Sequence, residues 1–193
     1  MHRIVATEGV VLRKRGVGEA NTLVAILSLE LGLVRASARS ARLAKSKLRY
    51  GLETMTEGRF SLVKGRYEWK VVGVERLSRE GLAQSAASRR AFGRVARLLL
   101  RLIHGEEPVP ALYHCVRAGF AALAEASSES LVEHIECVLV LRILAHLGYV
   151  PHHAALQPFV DDDQYGPELV AAAAATRALL IRTINESLGA TGL

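Results

Sequence analysis

The hydrophobic pattern of the chain changes its period near residue 78, and this change limits the folds that the chain can adopt. Up to about residue 77, apolar runs are short, rich in β-branched residues and separated by glycine, which is typical of strands. After that point, apolar residues recur every three or four positions, which is the period of a helix. The sequence therefore predicts an α+β chain, with a β-domain at residues 1–80 and an α-helical domain at residues 81–193.

The first part carries five candidate strands, each bounded by glycine or by a turn. They are predicted at residues 10–12, 22–27, 33–37, 59–63 and 67–75. Five strands in so short a stretch suit a small closed barrel, because closure leaves no strand edge exposed.

The second part carries four candidate helices, predicted at residues 88–104, 109–126, 130–148 and 167–189. Ser130 and Glu133 have the spacing of a capping box at the start of the third helix, and Pro167 suits the first position of the last one. The third helix is apolar on nearly all sides in its second half. We therefore expect it to be the central helix of a bundle.

The charge of the chain is concentrated in its first part. Residues 1–80 contain 16 Lys and Arg against 8 Asp and Glu, whereas residues 81–193 contain 9 against 11. Residues 34–49 hold six cations and no acid: Arg35, Arg39, Arg42, Lys45, Lys47 and Arg49. Such a run is either a solvated loop or a binding surface for nucleic-acid phosphates, from which binding would release counterions.

Other residues of the first part support the nucleic-acid interpretation. Its further candidate cations are Arg13, Lys14, Arg15, Lys64 and Arg66. Tyr67 and Trp69 lie two positions apart, which predicts that both share one face of a strand, where exposed rings can stack on unpaired bases. The alternative is that the rings fill the barrel.

Arginines also form a stripe on the first predicted helix, at Arg90, Arg94, Arg97 and Arg101. Their spacing places them on one side, opposite the apolar face. The stripe is either a solvated surface or a docking site for a second nucleic-acid strand or an acidic peptide tail.

The sequence does not predict an enzyme. It contains no Walker loop, no G-x-S-x-G elbow and no H-E-x-x-H motif, and no cofactor is expected. A metal-dependent enzyme would require His134, Cys137 and the histidines at 152 and 153 to converge. Reduced cysteines in helical patterns, the lack of a signal-like N-terminus and the lack of a long apolar run predict a cytoplasmic protein that does not enter a membrane.

Four segments of the chain have a recognisable order and spacing. Three are in the first part: T-E-G-V-V-L-R-K-R-G-V-G-E-A-N-T-L-V, L-E-L-G-L-V-R-A-S-A-R-S-A-R and L-E-T-M-T-E-G-R-F-S-L-V-K-G-R. The fourth is L-R-I-L-A-H-L-G-Y-V-P in the second part. Together they resemble the bacterial RecO family of recombination mediators, and the fourth is similar to that family's Leu-Gly-Tyr-x-Pro element. The resemblance covers residues 4–80 and 130–151.

The resemblance implies an oligonucleotide-binding (OB) barrel followed by a helical domain. It also implies a protein that binds single- and double-stranded DNA, anneals complementary strands, and loads recombinase together with RecR and the tail of single-strand-binding protein. The cations that match the family's basic barrel surface are Arg13, Arg35, Arg39, Arg42, Lys45 and Lys47.

One departure from the family concerns zinc. Many members carry a four-cysteine zinc element after the Leu-Gly-Tyr-x-Pro segment, and this chain has no cysteine there, so no structural zinc is predicted. Two other functions stay open at this point: an RNA-binding or ribosome-associated barrel module, and a protein-interaction adaptor.

Overall fold

The computed structural model of the protein describes residues 3–77 and 85–192. These residues form two compact units, which are 3–77 with 96–110 and 85–95 with 111–192. The boundary predicted at residues 80 and 81 lies outside the described residues. No helix in the described parts of the chain is long and apolar enough to cross a membrane.

The first unit contains a closed five-stranded barrel. Its strands are β1 (Ile4–Val17), β2 (Asn21–Ser28), β3 (Gly32–Ala38), β4 (Glu57–Lys64) and β5 (Trp69–Arg76). They follow the order β1-β2-β3-β5-β4 around the barrel, and all pairs are antiparallel except β3 with β5. The α+β class and the OB barrel predicted from the sequence are confirmed.

A β-bulge in β1 shapes both the barrel and its outer surface. Residues 4–10 pair with β4, residues 9–11 and 13–17 pair with β2, and the register of the pairing with β2 shifts between Val11 and Arg13. Side chains two positions apart normally share a face of a strand, but the extra residue reverses this alternation. Val11 is therefore buried in the barrel, whereas Arg13 and Arg15 are exposed.

The long connection between β3 and β4 is packed against the barrel at its two ends. Ala41 and Leu52 are buried within the barrel core, and Leu48 packs against the same cluster. Between these contacts the cationic side chains are exposed. The basic segment is therefore a loop on the barrel with apolar attachment points.

The helices are α1 (Ala86–Leu102), α2 (Pro110–Glu125), α3 (Glu129–His146), α4 (Gln157–Val160), α5 (Pro167–Ala175) and α6 (Arg177–Ala190), with a 3₁₀ turn at Ala154–Leu156. In the second unit, α3 contacts α4, α5 and α6, as expected for the central helix. The 3₁₀ turn and α4 were not predicted from the sequence.

Two sequence predictions about helix ends are wrong. The N-cap of α3 is Ser128, whose hydroxyl accepts a hydrogen bond from the Leu131 N–H at 3.2 Å, so Ser130 and Glu133 do not form the cap. The last helix is also divided at Thr176. The Thr176 hydroxyl donates to the carbonyl of Ala172 at 2.8 Å, and α6 begins at the next residue.

Gly32 allows an unusually close approach between the barrel and the segment that follows α1. Its φ of +66° lies in the left-handed region, and a Cβ there would overlap the backbone carbonyl of Glu107. Gly18 has a similar φ of +58° but open space around it. A substitution at Gly18 would therefore cause backbone strain alone, whereas one at Gly32 would cause both strain and steric overlap.

Gly32→Ala is expected to destabilise the protein more than Gly18→Ala. The Gly18 variant incurs only the left-handed penalty of roughly 1–2 kcal/mol, whereas the Gly32 variant must also displace the backbone near Glu107. Urea unfolding of both variants measures the difference. Equal losses in the free energy of unfolding would contradict the close approach.

Candidate nucleic-acid interface

Three arginines lie on the outer face of the barrel in neighbouring rows. Arg13 of β1 pairs with Ala25 of β2, which pairs with Arg35 of β3, so the two arginines flank a small side chain in one row across three strands. Arg15 occupies the next row, opposite Leu23. All three arginines are exposed, and none forms an ion pair with the residues that the structure describes.

These arginines line a cavity of about 670 Å³, which we call the barrel groove. Its lining includes the three arginines, Tyr67, Glu68 and residues 103–106. Its volume lies within the usual range for small-ligand sites. Cationic groups, two acids, an aromatic ring and apolar side chains thus line one cavity.

The two aromatic residues of this region have different environments. Tyr67 lies in the turn before β5, is 86% exposed, and has the Arg66 guanidinium 5.1 Å from its ring centre. Trp69 is the first residue of β5 and only 5% exposed. The prediction that both rings share an exposed strand face is wrong, because the strand begins after Tyr67.

Glu106 neutralises part of the cationic surface. Its carboxylate accepts a hydrogen bond from the Lys64 ammonium and another from the indole N–H of Trp69, each at 2.8 Å. The hydrogen bond from Lys64, and then the one from Trp69, lower the pKa of Glu106, although partial burial opposes this. A second acid, Glu68, accepts a hydrogen bond from the Ser37 hydroxyl at 2.8 Å.

The cations predicted around the basic loop divide into two groups. Arg42 donates to the carbonyl of Gly18 at 2.7 Å, and Lys14 pairs with Glu53 at 2.6 Å, so these two side chains tie the loop to the barrel. The others are exposed and, within the described ranges, form no ion pair: Arg39, Lys45, Lys47 and Arg49.

The arginine stripe of α1 is partly used for packing in the second unit. Arg90 pairs with Glu129 at 2.9 Å, and Arg94 makes two hydrogen bonds to Glu136 at 2.6 Å and 2.5 Å. The bond to Glu136 raises the pKa of Arg94. Arg97 and Arg101 are exposed, but both lie in the part of α1 that belongs to the first unit.

The sequence-based hypothesis of a metal-dependent enzyme is not supported by geometry. Within the described residues, His134, Cys137, His152 and His153 do not belong to any group of three potential ligands close enough to share an ion.

Comparisons with known proteins identify relatives of the chain. Residues 1–71 match the family described as recombination protein O, N terminal. The chain is 31% identical to the DNA repair protein RecO of Gloeothece citriformis over 153 residues, which is 78% of this chain and 54% of the relative. It is 31% identical to the DNA repair protein RecO of Synechocystis over 160 residues, covering 81% and 59%.

The chain belongs to the RecO family. A shorter stretch of 58 residues is 45% identical to the DNA repair protein RecO of Bacillus cereus and covers 30% of this chain. This RecO chain spans about half the length of the first curated relatives that it matches.

The sequence did not predict that residues 103–106 line the groove in this RecO chain. These residues follow the end of α1, and Gly105 and the nearby Pro108 indicated only that the helix ends there. The acids Glu68 and Glu106 were also missed, because their hydrogen bonds join residues that are distant along the chain.

Acidification should release the sole tryptophan from Glu106. The pKa of Glu106 in the folded protein is lowered from its usual value of 4.5, so the ionised carboxylate stabilises the folded state. This stabilisation is complete above pH 4.5 and is lost as the pH falls through the lower pKa of the folded state. We expect Trp69 fluorescence to change with a midpoint below pH 4.5, and Glu106→Gln to abolish that transition. Glu107→Gln is the matched control. A transition that survives in Glu106→Gln would refute the assignment.

Proposed function

We propose that this RecO chain is a non-enzymatic DNA-binding mediator in DNA repair and recombination. The observation that carries the proposal is the barrel groove, where Arg13, Arg15 and Arg35 face a cavity without ion-pair partners among the described residues. Exposed guanidinium groups that face a cavity bind phosphate well, because they donate two hydrogen bonds in a fixed geometry.

Single-stranded DNA fits the groove better than a rigid duplex. The phosphates of one strand would contact the arginine rows, and an unpaired base would stack on the exposed ring of Tyr67. Stacking accepts any base, and phosphate contacts carry no sequence information. We therefore propose binding that is independent of sequence.

Duplex DNA would use the basic loop instead. Arg39, Lys45, Lys47 and Arg49 are exposed and lie on one connection of the barrel. Point charges on a loop can contact the phosphates of either nucleic-acid form.

Strand annealing follows from the same charges. Two complementary strands that are neutralised on one cationic surface repel each other less and meet at a higher local concentration. Bases that are held through their backbone keep their pairing edges free. No covalent chemistry is needed for this step.

We also propose RecR and the acidic tail of single-strand-binding protein as partners, on the basis of family membership. The arginine stripe offers such a tail less free charge than the sequence predicted, since Arg90 and Arg94 already pair with acids of α3. A tail docked there would have to displace Glu129 or Glu136.

Replacing both Arg13 and Arg35 by Ala should weaken binding to single-stranded DNA and flatten its dependence on salt. Each lost phosphate contact reduces the slope of log K against log salt by roughly 0.7. Fluorescence anisotropy with a labelled oligonucleotide, measured across a salt series, gives both quantities. Arg59→Ala is the matched control, because Arg59 is an exposed strand arginine that does not line the groove and pairs with Glu8.

The same titration separates the alternative functions. An RNA-binding module would bind matched RNA more tightly than DNA, and an adaptor would bind neither in a salt-dependent way. If the double variant binds DNA as the unaltered protein does, the groove is not the DNA site.

Tyr67→Ala should weaken binding to single-stranded DNA by roughly 5- to 150-fold, the loss of about one stacked base. The salt slope should stay unchanged, because no charge is removed. Tyr67→Phe keeps the ring and should bind normally, which separates stacking from hydrogen bonding by the hydroxyl. Equal losses in the Ala and Phe variants would exclude stacking.

A further inference from the structure

Three potential metal ligands meet in the second unit. They are Cys115 in α2, His146 at the end of α3, and Asp163 in the loop between α4 and α5. The thiol sulfur, a ring nitrogen and a carboxylate oxygen all lie within 4.8 Å of one another. This is the one such group of three or more found among residues 3–77 and 85–192.

We propose that Cys115, His146 and Asp163 form a binding site for a divalent transition-metal ion of the zinc class. Thiolate, imidazole and carboxylate are the three ligand types that zinc accepts in proteins. Zinc bonds of about 2.0–2.3 Å in a tetrahedron place neighbouring ligand atoms roughly 3.3–3.8 Å apart. Because the ligand atoms lie within 4.8 Å of one another, the group needs to contract by at most roughly 1.0–1.5 Å to reach that spacing.

The loop that carries Asp163 is held in place by a buried arginine. Arg142 of α3 is 1% exposed, and its Nε donates to the carbonyl of Phe159 at 2.6 Å. Its Nη2 contacts the carboxylate of Asp162 at 3.4 Å and the carbonyl of Gln164 at 3.1 Å. Arg142 therefore positions Asp163 through the residues on both sides of it, and these hydrogen bonds do not involve the Asp163 carboxylate.

The charges of the site suit a divalent cation. The Arg142 guanidinium near the ligands opposes a metal ion, but a Cys115 thiolate and the Asp163 carboxylate would supply two negative charges. Without metal, burial and the neighbouring Asp163 raise the pKa of Cys115 to about 12, so the thiol is protonated. As the sulfur–metal bond forms, this proton leaves to the solvent, and one proton is released for each ion bound.

Access and the surrounding polar groups also fit the proposal. His146 is exposed, so an ion can enter from that side, and water can fill the fourth position. The Tyr165 ring packs beside the arginine that positions the loop, with the Arg142 guanidinium 4.6 Å from the ring centre.

This ligand set is different from the four-cysteine element of many RecO proteins. The sequence predicted no structural zinc because that element is missing, and the proposed site departs from that expectation. It would connect α2, the end of α3 and the loop before α5, and so would stabilise the second unit.

Cobalt(II) tests the site directly, because its absorption reports both coordination and a thiolate ligand. The reduced, metal-free protein is titrated with Co²⁺ and then with Zn²⁺. We expect one Co²⁺ per chain, a thiolate-to-cobalt charge-transfer band, and loss of the band when Zn²⁺ displaces the cobalt. Bound Zn²⁺ should also raise the Tm.

Variants assign the ligands. Cys115→Ser should abolish the charge-transfer band, and His146→Ala or Asp163→Asn should weaken Co²⁺ binding by more than about 100-fold. The matched controls are Cys137→Ser and His152→Ala, which should keep both the band and the affinity. Circular dichroism checks that each variant is folded, and the His146 variant decides the outcome if Cys115→Ser does not fold. A missing band in the unaltered protein, or a band that survives in His146→Ala at equal affinity, would overturn the proposal.

Discussion

The β-bulge between Val11 and Arg13 is the constraint on which the rest of the first unit depends. β1 pairs with β4 over residues 4–10 and with β2 from residue 9 onward, and the bulge lies just beyond this overlap. The extra residue at the bulge leaves Val11 in the core and turns Arg13 and Arg15 outward. The strand that closes the barrel therefore also supplies part of its cationic outer surface.

Much of the fold was predictable, because it depends on the periodicity of apolar residues. Five short β-like runs and the later helical period correctly indicated a barrel followed by helices. The errors arose where side chains interact with the backbone. The backbone leaves helical geometry at Thr176, whose hydroxyl bonds to Ala172, and Ser128 caps α3 in place of Ser130. Several hydroxyl residues near a helix end can serve as its cap, and periodicity does not choose between them.

The candidate sites were less predictable, because they depend on pairs that are far apart in the sequence. Cations could be counted, but the acids that neutralise them, such as Glu53 for Lys14 and Glu106 for Lys64, have no local signal. The bulge that turns Arg13 outward has no local sequence signal either. Cys115, His146 and Asp163 also follow no recognised metal-binding spacing, so only the folded chain brings these three together.

The carboxylate of Glu106 has a further consequence for which cations of the groove region an anionic ligand could use. Glu106 lines the groove and already holds Lys64 and Trp69, so it is an anion that cannot diffuse away. A phosphate could reach Lys64 only by displacing this tethered carboxylate, whereas Arg13, Arg15 and Arg35 have no such built-in competitor among the described residues. Within the proposed function, the arginines and not Lys64 would therefore contribute most of the affinity for a bound strand.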